Sequence, residues 1–136
     1  MKTWEFDYIV VGGGASGCVL AARLAQDTTA RVALLERGKV DSNQWIHIPA
    51  TFFKAIQSPD VEMQVSEPDP SLESRPFVVP QGRVLGGGSS VNGMIYMRGQ
   101  AQDYDAWADQ FGCEGWGYSD VLPVYKRQER NTRLAD

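Results

Sequence analysis

Apolar residues fall in blocks along this chain, and the first two blocks frame a glycine turn. Tyr8 to Val11 is a continuous apolar run, Gly12-Gly13-Gly14-Ala15-Ser16-Gly17 follows at once, and Val32 to Leu35 is a second run closing on Glu36. Runs without a polar side chain read as interior parallel strands, covered on both faces. Between them Cys18, Val19, Ala21, Ala22, Leu24 and Ala25 are dense enough for a helix over Ala15 to Gln26, buried against a sheet and ended by Asp27-Thr28-Thr29. Strand, glycine turn, helix, strand and acidic residue follow the order of a dinucleotide-binding βαβ unit. Between Gly38 and Pro80 the pattern fades, with five of the seven prolines, Pro49, Pro59, Pro68, Pro70 and Pro76, and only Pro49 to Gln57 is a candidate for a short helix. A loop-rich stretch of that length is expected to wander over a ligand or a second domain.

Regularity returns with Val84-Leu85, Gly86-Gly87-Gly88, Ser89-Ser90 and Val91. The apolar Met94-Ile95-Tyr96-Met97 behind them predicts a buried segment rather than a surface turn. Tyr104, Trp107, Ala108 and Phe111 have helix spacing over Asp103 to Phe111, a docking face ended by Gly112. Glu114 to Tyr118 reads as a turn. Ser119 then reads as the N-cap of a helix from Asp120 to Arg130, with Pro123 in its first turn and Val121, Leu122, Val124 and Tyr125 on its buried side. The tail Asn131 to Asp136 is polar.

The glycine spacing has a physical meaning at each position. In G-x-G-x-x-G, Gly12 permits the tight turn, Gly14 lets the backbone approach a pyrophosphate, and Gly17 lets the helix pack closely on the strands. N–H groups at the helix start and its positive dipole end would hold the phosphates. Glu36, 19 residues after Gly17, can accept hydrogen bonds from the hydroxyls of an adenosine ribose and would repel a 2′-phosphate. Gly86 to Gly88 offer a second place where backbone N–H groups can approach a ligand, and Asn92 could fix a ring edge through a donor and an acceptor. Two such loops in one short chain suggest one extended ligand. His47, the one histidine, lies between Ile46 and Ile48, where a structural role competes with stacking on a cofactor.

Composition narrows this little. The chain has 136 residues, 43% hydrophobic and 22% charged, one domain's worth, yet fewer strands than a complete dinucleotide fold needs. With a net charge of −4 and scattered cations, nothing points to nucleic acid or to an anionic membrane surface as a partner. No apolar run reaches the ~20 residues of a spanning helix, and the start leaves no room for a secretory leader, so a cytoplasmic chain is expected. Cys18 reads as a small core residue and Cys113 as a loop residue; neither has metal-ligand spacing, and no metal or disulfide is expected.

The segments VVGGGASGCVLAARLA with Glu36, and GRVLGGGSSVNGMIYMRG followed by Asp103-Tyr104-Asp105-Ala106-Trp107, resemble the glucose-methanol-choline (GMC) oxidoreductases, most nearly the choline dehydrogenase-like and alcohol dehydrogenase-like members. The likeness covers nearly the whole chain. It implies an α/β fold: a Rossmann-like FAD-binding βαβ unit with long loops, an incomplete part of a GMC-type FAD/NAD(P)-binding domain. The expected organisation is a dinucleotide unit over 1–37, a loop-rich excursion over 38–80, and a second flavin-contacting motif with helices over 81–136. It implies FAD held at Gly12, Gly14, Ala15, Ser16, Gly17 and Glu36 with Arg37 beside it. Arg83, Leu85, Gly86, Gly87 and Gly88 would approach the flavin end, and Ser90, Asn92, Gly93, Met94 and Ile95 would line the isoalloxazine.

Some relatives carry, where this sequence has Val91, a histidine covalently tied to the flavin; valine cannot form that bond, so dissociable FAD is expected. The substrate domain and the family's catalytic histidine pair, or histidine and asparagine, belong to a C-terminal region, and no residue of this chain is expected to be catalytic. The implied function is hydride transfer from a small alcohol to flavin N5, with the remainder of the enzyme as partner. An NAD-dependent dehydrogenase segment and a non-catalytic remnant are the competing readings.

Overall fold

A computed structural model describes residues 3–129. Arg130, the expected end of the last helix, and the polar tail 131–136 lie outside the described residues. The chain divides into two compact units, Met1–Ile95 and Tyr96–Asp136.

The first unit opens as the apolar blocks dictate. β1 (Tyr8–Val11) pairs in parallel with β2 (Val32–Leu35), Tyr8 opposite Val32 and Val11 opposite Leu35. Between them lies α1 (Ala15–Asp27), on which Ala21 is buried, as is Val10 on β1. Close packing depends on Gly17: a Cβ there would sit 1.9 Å from the Gly12 carbonyl oxygen and 3.5 Å from Val10 Cγ1. Thr28 ends α1 as expected, its hydroxyl donating to the Leu24 carbonyl at 2.6 Å and accepting from the Ala30 N–H at 3.0 Å.

Beyond β2 the chain is more regular than its prolines suggest. α2 (Gln44–His47) starts at Asn43, whose side-chain oxygen accepts from the Trp45 N–H at 3.1 Å. A 3₁₀ turn (Pro49–Thr51) runs into α3 (Phe52–Ile56), so the helix expected over Pro49 to Gln57 is present in two pieces. β3 (Val61–Val65) then pairs antiparallel with β4 (Val78–Gly82), from Val61 opposite Gly82 to Val65 opposite Val78. The expectation of a stretch without regular structure up to Pro80 is thereby corrected. Val61, Met63 and Val65 alternate with Glu62 and Gln64, the period of a half-buried strand, and a two-stranded pair tolerates Pro80 because each strand has a free edge.

After β4, Val84 is fully buried, bridged in parallel to Lys39 just past β2. Gly86 and Gly87 lead into α4 (Gly88–Val91), whose Val91 is buried. The segment after it departs from expectation, because Met94, Ile95, Tyr96 and Met97 are exposed, Ile95 at 83%. Nothing in the described residues covers them. β1 and β2 are open in the same way: each has one strand neighbour, and Ile9 and Leu35 are more than half exposed, Val11 at 82%. They have the composition of interior strands without the cover that such strands need.

In the second unit, α5 (Ala101–Phe111) begins with a reciprocal pair of contacts between Gln100 and Asp103 and ends at Gly112 with φ +68°. Its Tyr104 is buried, whereas Phe111, expected on the docking face, is 72% exposed. α6 (Tyr118–Gln128) starts earlier than the sequence suggests. Its N-cap is Gly117 and not Ser119, because Asp105 Oδ1 on α5 accepts the Tyr118 N–H at 2.9 Å, capping one helix from the other. Pro123 consequently falls inside the helix rather than in its first turn, and the Ser119 carbonyl loses its usual partner. Tyr104 gathers Trp107, Tyr118 and Tyr125 edge-on or tilted, at centroid distances of 5.3–6.0 Å. Arg98 pairs with Glu129 at the margin of this cluster.

Candidate functional site

The first unit brings its two glycine loops into direct contact. The Gly86 N–H donates to the Gly13 carbonyl at 2.7 Å, and a Cβ on Gly87, whose φ is +54°, would lie 2.8 Å from Gly14 Cα. No side chain but hydrogen fits there. The Leu85 N–H donates to the Lys39 carbonyl at 2.8 Å, which draws the second loop to the end of β2.

Around this contact the backbone offers donors. Gly12, with φ +99°, turns the chain out of β1, and Gly14 is the N-cap of α1. No side chain caps that helix and its first turn carries no acidic residue, so its leading N–H groups face outward with the positive end of the helix dipole. A Cβ on Gly14 would project into open space. The arrangement suits an anion.

Glu36 stands beside the donors. Its Oε2 accepts the Gly13 N–H at 2.7 Å and its Oε1 accepts the Gly38 N–H at 2.6 Å. These bonds, the Gly38 one foremost, hold its carboxyl below the ordinary glutamate pKa. Because the folded value is the lower one, the stabilisation is complete above the ordinary carboxylate range and is lost as pH falls through the lowered value.

The sequence matches one family over nearly all of its length. The profile of the GMC oxidoreductases covers residues 6–135. The chain belongs to the GMC oxidoreductase family. Among curated GMC relatives, the oxygen-dependent choline dehydrogenase of Sinorhizobium fredii is 43% identical over 128 residues, 93% of this chain and 23% of that protein. Among solved structures, pyridoxine 4-oxidase from Mesorbium loti superposes with a TM-score of 0.79 at 35% identity, covering 89% of this chain and 24% of that one. An FAD-dependent oxidoreductase from Chaetomium thermophilum matches with a TM-score of 0.73 at 36% identity, covering 89% and 20%. The chain thus spans about a quarter of the length of these GMC relatives, and its fold is that of their N-terminal part.

Not every expected GMC site residue joins the loop contact. Gly12, Gly14, Ala15, Ser16, Gly17, Glu36, Leu85, Gly86 and Gly87 cluster at the ends of β1 and β2, with Gly88 opening α4. Arg37 turns to an ion pair with Glu62, and the Arg83 backbone N–H donates to the Asp60 carbonyl. Ser90 donates to the Leu85 carbonyl at 2.8 Å, a bond that shapes the second loop from within. The Asn92 side chain donates to the Ser89 carbonyl at 3.3 Å and accepts the Met94 N–H at 2.7 Å, holding Met94 at φ +57°. Gly93, Met94 and Ile95 are exposed. A cleft of about 70 Å³ separates α4 from Trp45, Ile48 and Phe52, room for a few waters and not for a ring system.

Gly13 and Gly38 were missed by the motif reading. Gly13 is an "x" of G-x-G-x-x-G, yet it is buried and bonded to Glu36 and Gly86, with Cys18 Sγ donating to its carbonyl at 3.2 Å. Gly38 is equally confined: a Cβ there would meet the Arg83 carbonyl oxygen at 2.2 Å. The signal available was three consecutive glycines where the motif asks for two. His47 donates through Nε2 to the Asp41 carbonyl, a structural contact. Cys18 and Cys113 are free thiols.

Proposed function

We propose that this chain holds the ADP half of FAD, and part of its flavin end, in a GMC enzyme that oxidises a small alcohol. The observation that carries the reading is the hydrogen-bonded contact of the two glycine loops beside the uncapped start of α1. Backbone at Gly12, Gly14, Ala15, Ser16 and Gly17 would take the pyrophosphate. Glu36 uses two of about four carboxylate acceptor sites on backbone and keeps the others for a ribose. A 2′-phosphate would meet a carboxylate pinned on both oxygens. Gly86 to Gly88, with Ser90 and Asn92 bracing the turn, would approach the flavin. Bound FAD would supply the acceptor for a hydride from an alcohol carbon. The buried Val91 cannot bond to flavin, so the FAD is non-covalent.

Proton removal from the substrate belongs to the remainder of the enzyme. Among the described residues the one histidine, His47, is engaged with the Asp41 carbonyl, a structural contact rather than a base poised for a substrate. Exposed apolar strands and the open Met94 to Met97 segment support a partner that is the missing bulk of such an enzyme. FAD and NAD titrated separately into this chain together with that remainder test the reading. Uptake of FAD with quenched flavin fluorescence is expected; uptake of NAD and not FAD overturns it.

A further inference from the structure

The carboxylate of Glu36 lies at a junction of three backbone segments. Its Oε2 takes the Gly13 N–H from the first glycine loop, and its Oε1 takes the Gly38 N–H from the turn after β2. The Gly13 carbonyl in turn takes the Gly86 N–H of the second loop at 2.7 Å. The space is tight, since a Cβ built on Gly13 would stand 3.1 Å from Glu36 Cβ and 3.0 Å from Leu85 Cδ1. Both glycine loops are therefore fixed, directly or through one residue, to a single side chain.

We propose that Glu36 is a positioning residue for both glycine loops, in addition to any bond it makes to a ribose. Resting on the nucleotide reading above, the inference concerns what shapes the site before a ligand arrives. A protonated carboxyl, or an amide in its place, puts a donor against the Gly13 or Gly38 N–H and breaks one arm of the junction. The released Gly13 then shifts the carbonyl that holds Gly86. Among the charges around it, Arg37 adjoins Glu36 in sequence and adds a minor lowering of its pKa. Lys39 and Arg83 carry the charges on the adjoining bridged segments, and Cys18 contributes a thiol donor to the Gly13 carbonyl.

The test follows the amide resonances of Gly13, Gly38 and Gly86 in the ¹⁵N-labelled chain, without nucleotide, from about pH 6 to about pH 3, the range around an ordinary glutamate. All three should titrate with one midpoint below the ordinary glutamate value, and E36Q should abolish that titration at each. A Gly86 amide that stays still, or a Gly13 titration that survives E36Q, overturns the proposal. If E36Q loses the dispersed resonances of α1, E36D replaces it: Gly13 and Gly86 should then move together, and movement of Gly13 alone overturns the junction.

A second arm uses ADP and 2′,3′-dideoxy-ADP as probes. E36Q should weaken both by about tenfold or more, the loss expected when hydrogen bonds to a charged group are removed. Weakening confined to ADP would make Glu36 a ribose ligand alone. A wild-type chain that binds neither nucleotide defeats the nucleotide reading, while the amide titration still decides the junction.

Discussion

Gly17 shows how far a single position can be reasoned from sequence. The motif asks for glycine where helix and strand meet, and the structure leaves 1.9 Å between a Cβ there and the Gly12 carbonyl oxygen. The obstacle is backbone and cannot swing aside. G17A should destabilise the first unit by about 1–3 kcal/mol, at the upper end of that range, as read by chemical denaturation. The place of Glu36 at the end of the second strand was equally visible, but its bonds to the Gly13 and Gly38 N–H groups were not. Gly13 was not, because its importance comes from segments 23 and more residues away that only the fold brings to it. A motif names the residues that face a ligand; the residue that faces the protein is fixed by tertiary contacts.

At the scale of elements, β1, α1, β2 and α5 follow from apolar spacing and glycine ends alone. The pair β3 and β4 was obscured by prolines at 59, 68, 70, 76 and 80, which lie before, between and, for Pro80, within the strands without preventing an antiparallel pair. The start of α6 was misplaced because its first N–H is capped by Asp105 from another helix, a partner no local pattern reveals. Pro123 then sits within α6 at a cost to its hydrogen bonding. P123A should stabilise the second unit by about 1–3 kcal/mol and raise its helicity in circular dichroism.

The hydroxyls of Tyr104 and Tyr125 lie 2.7 Å apart, and that bond, followed by burial, pushes the Tyr125 hydroxyl above the ordinary tyrosine range. A raised folded value means stability that is complete below the ordinary tyrosine pKa and is lost as pH rises through the raised one. Tyrosinate absorbance should show a late-titrating tyrosine in the wild type that becomes ordinary in Y104F. Unchanged titration in Y104F would remove the pair from the account.

For the whole molecule, the family was legible because two separated glycine motifs each carry a specific residue pattern. The state of the surface was not. Tyr8 to Val11, Val32 to Leu35 and Met94 to Met97 have the composition of buried segments, burial depends on what lies beside them, and this chain spans about a quarter of the length of its GMC relatives. Supplying that remainder should protect the β1 amides against hydrogen exchange, since a third strand on its open edge would pair them. Whether this chain forms part of a dissociable FAD site is read from the absorbance of the complete assembly before and after acid precipitation. A yellow protein is expected, with a flavin spectrum whose FAD passes entirely into the supernatant. A colourless assembly that takes up no added FAD would contradict it.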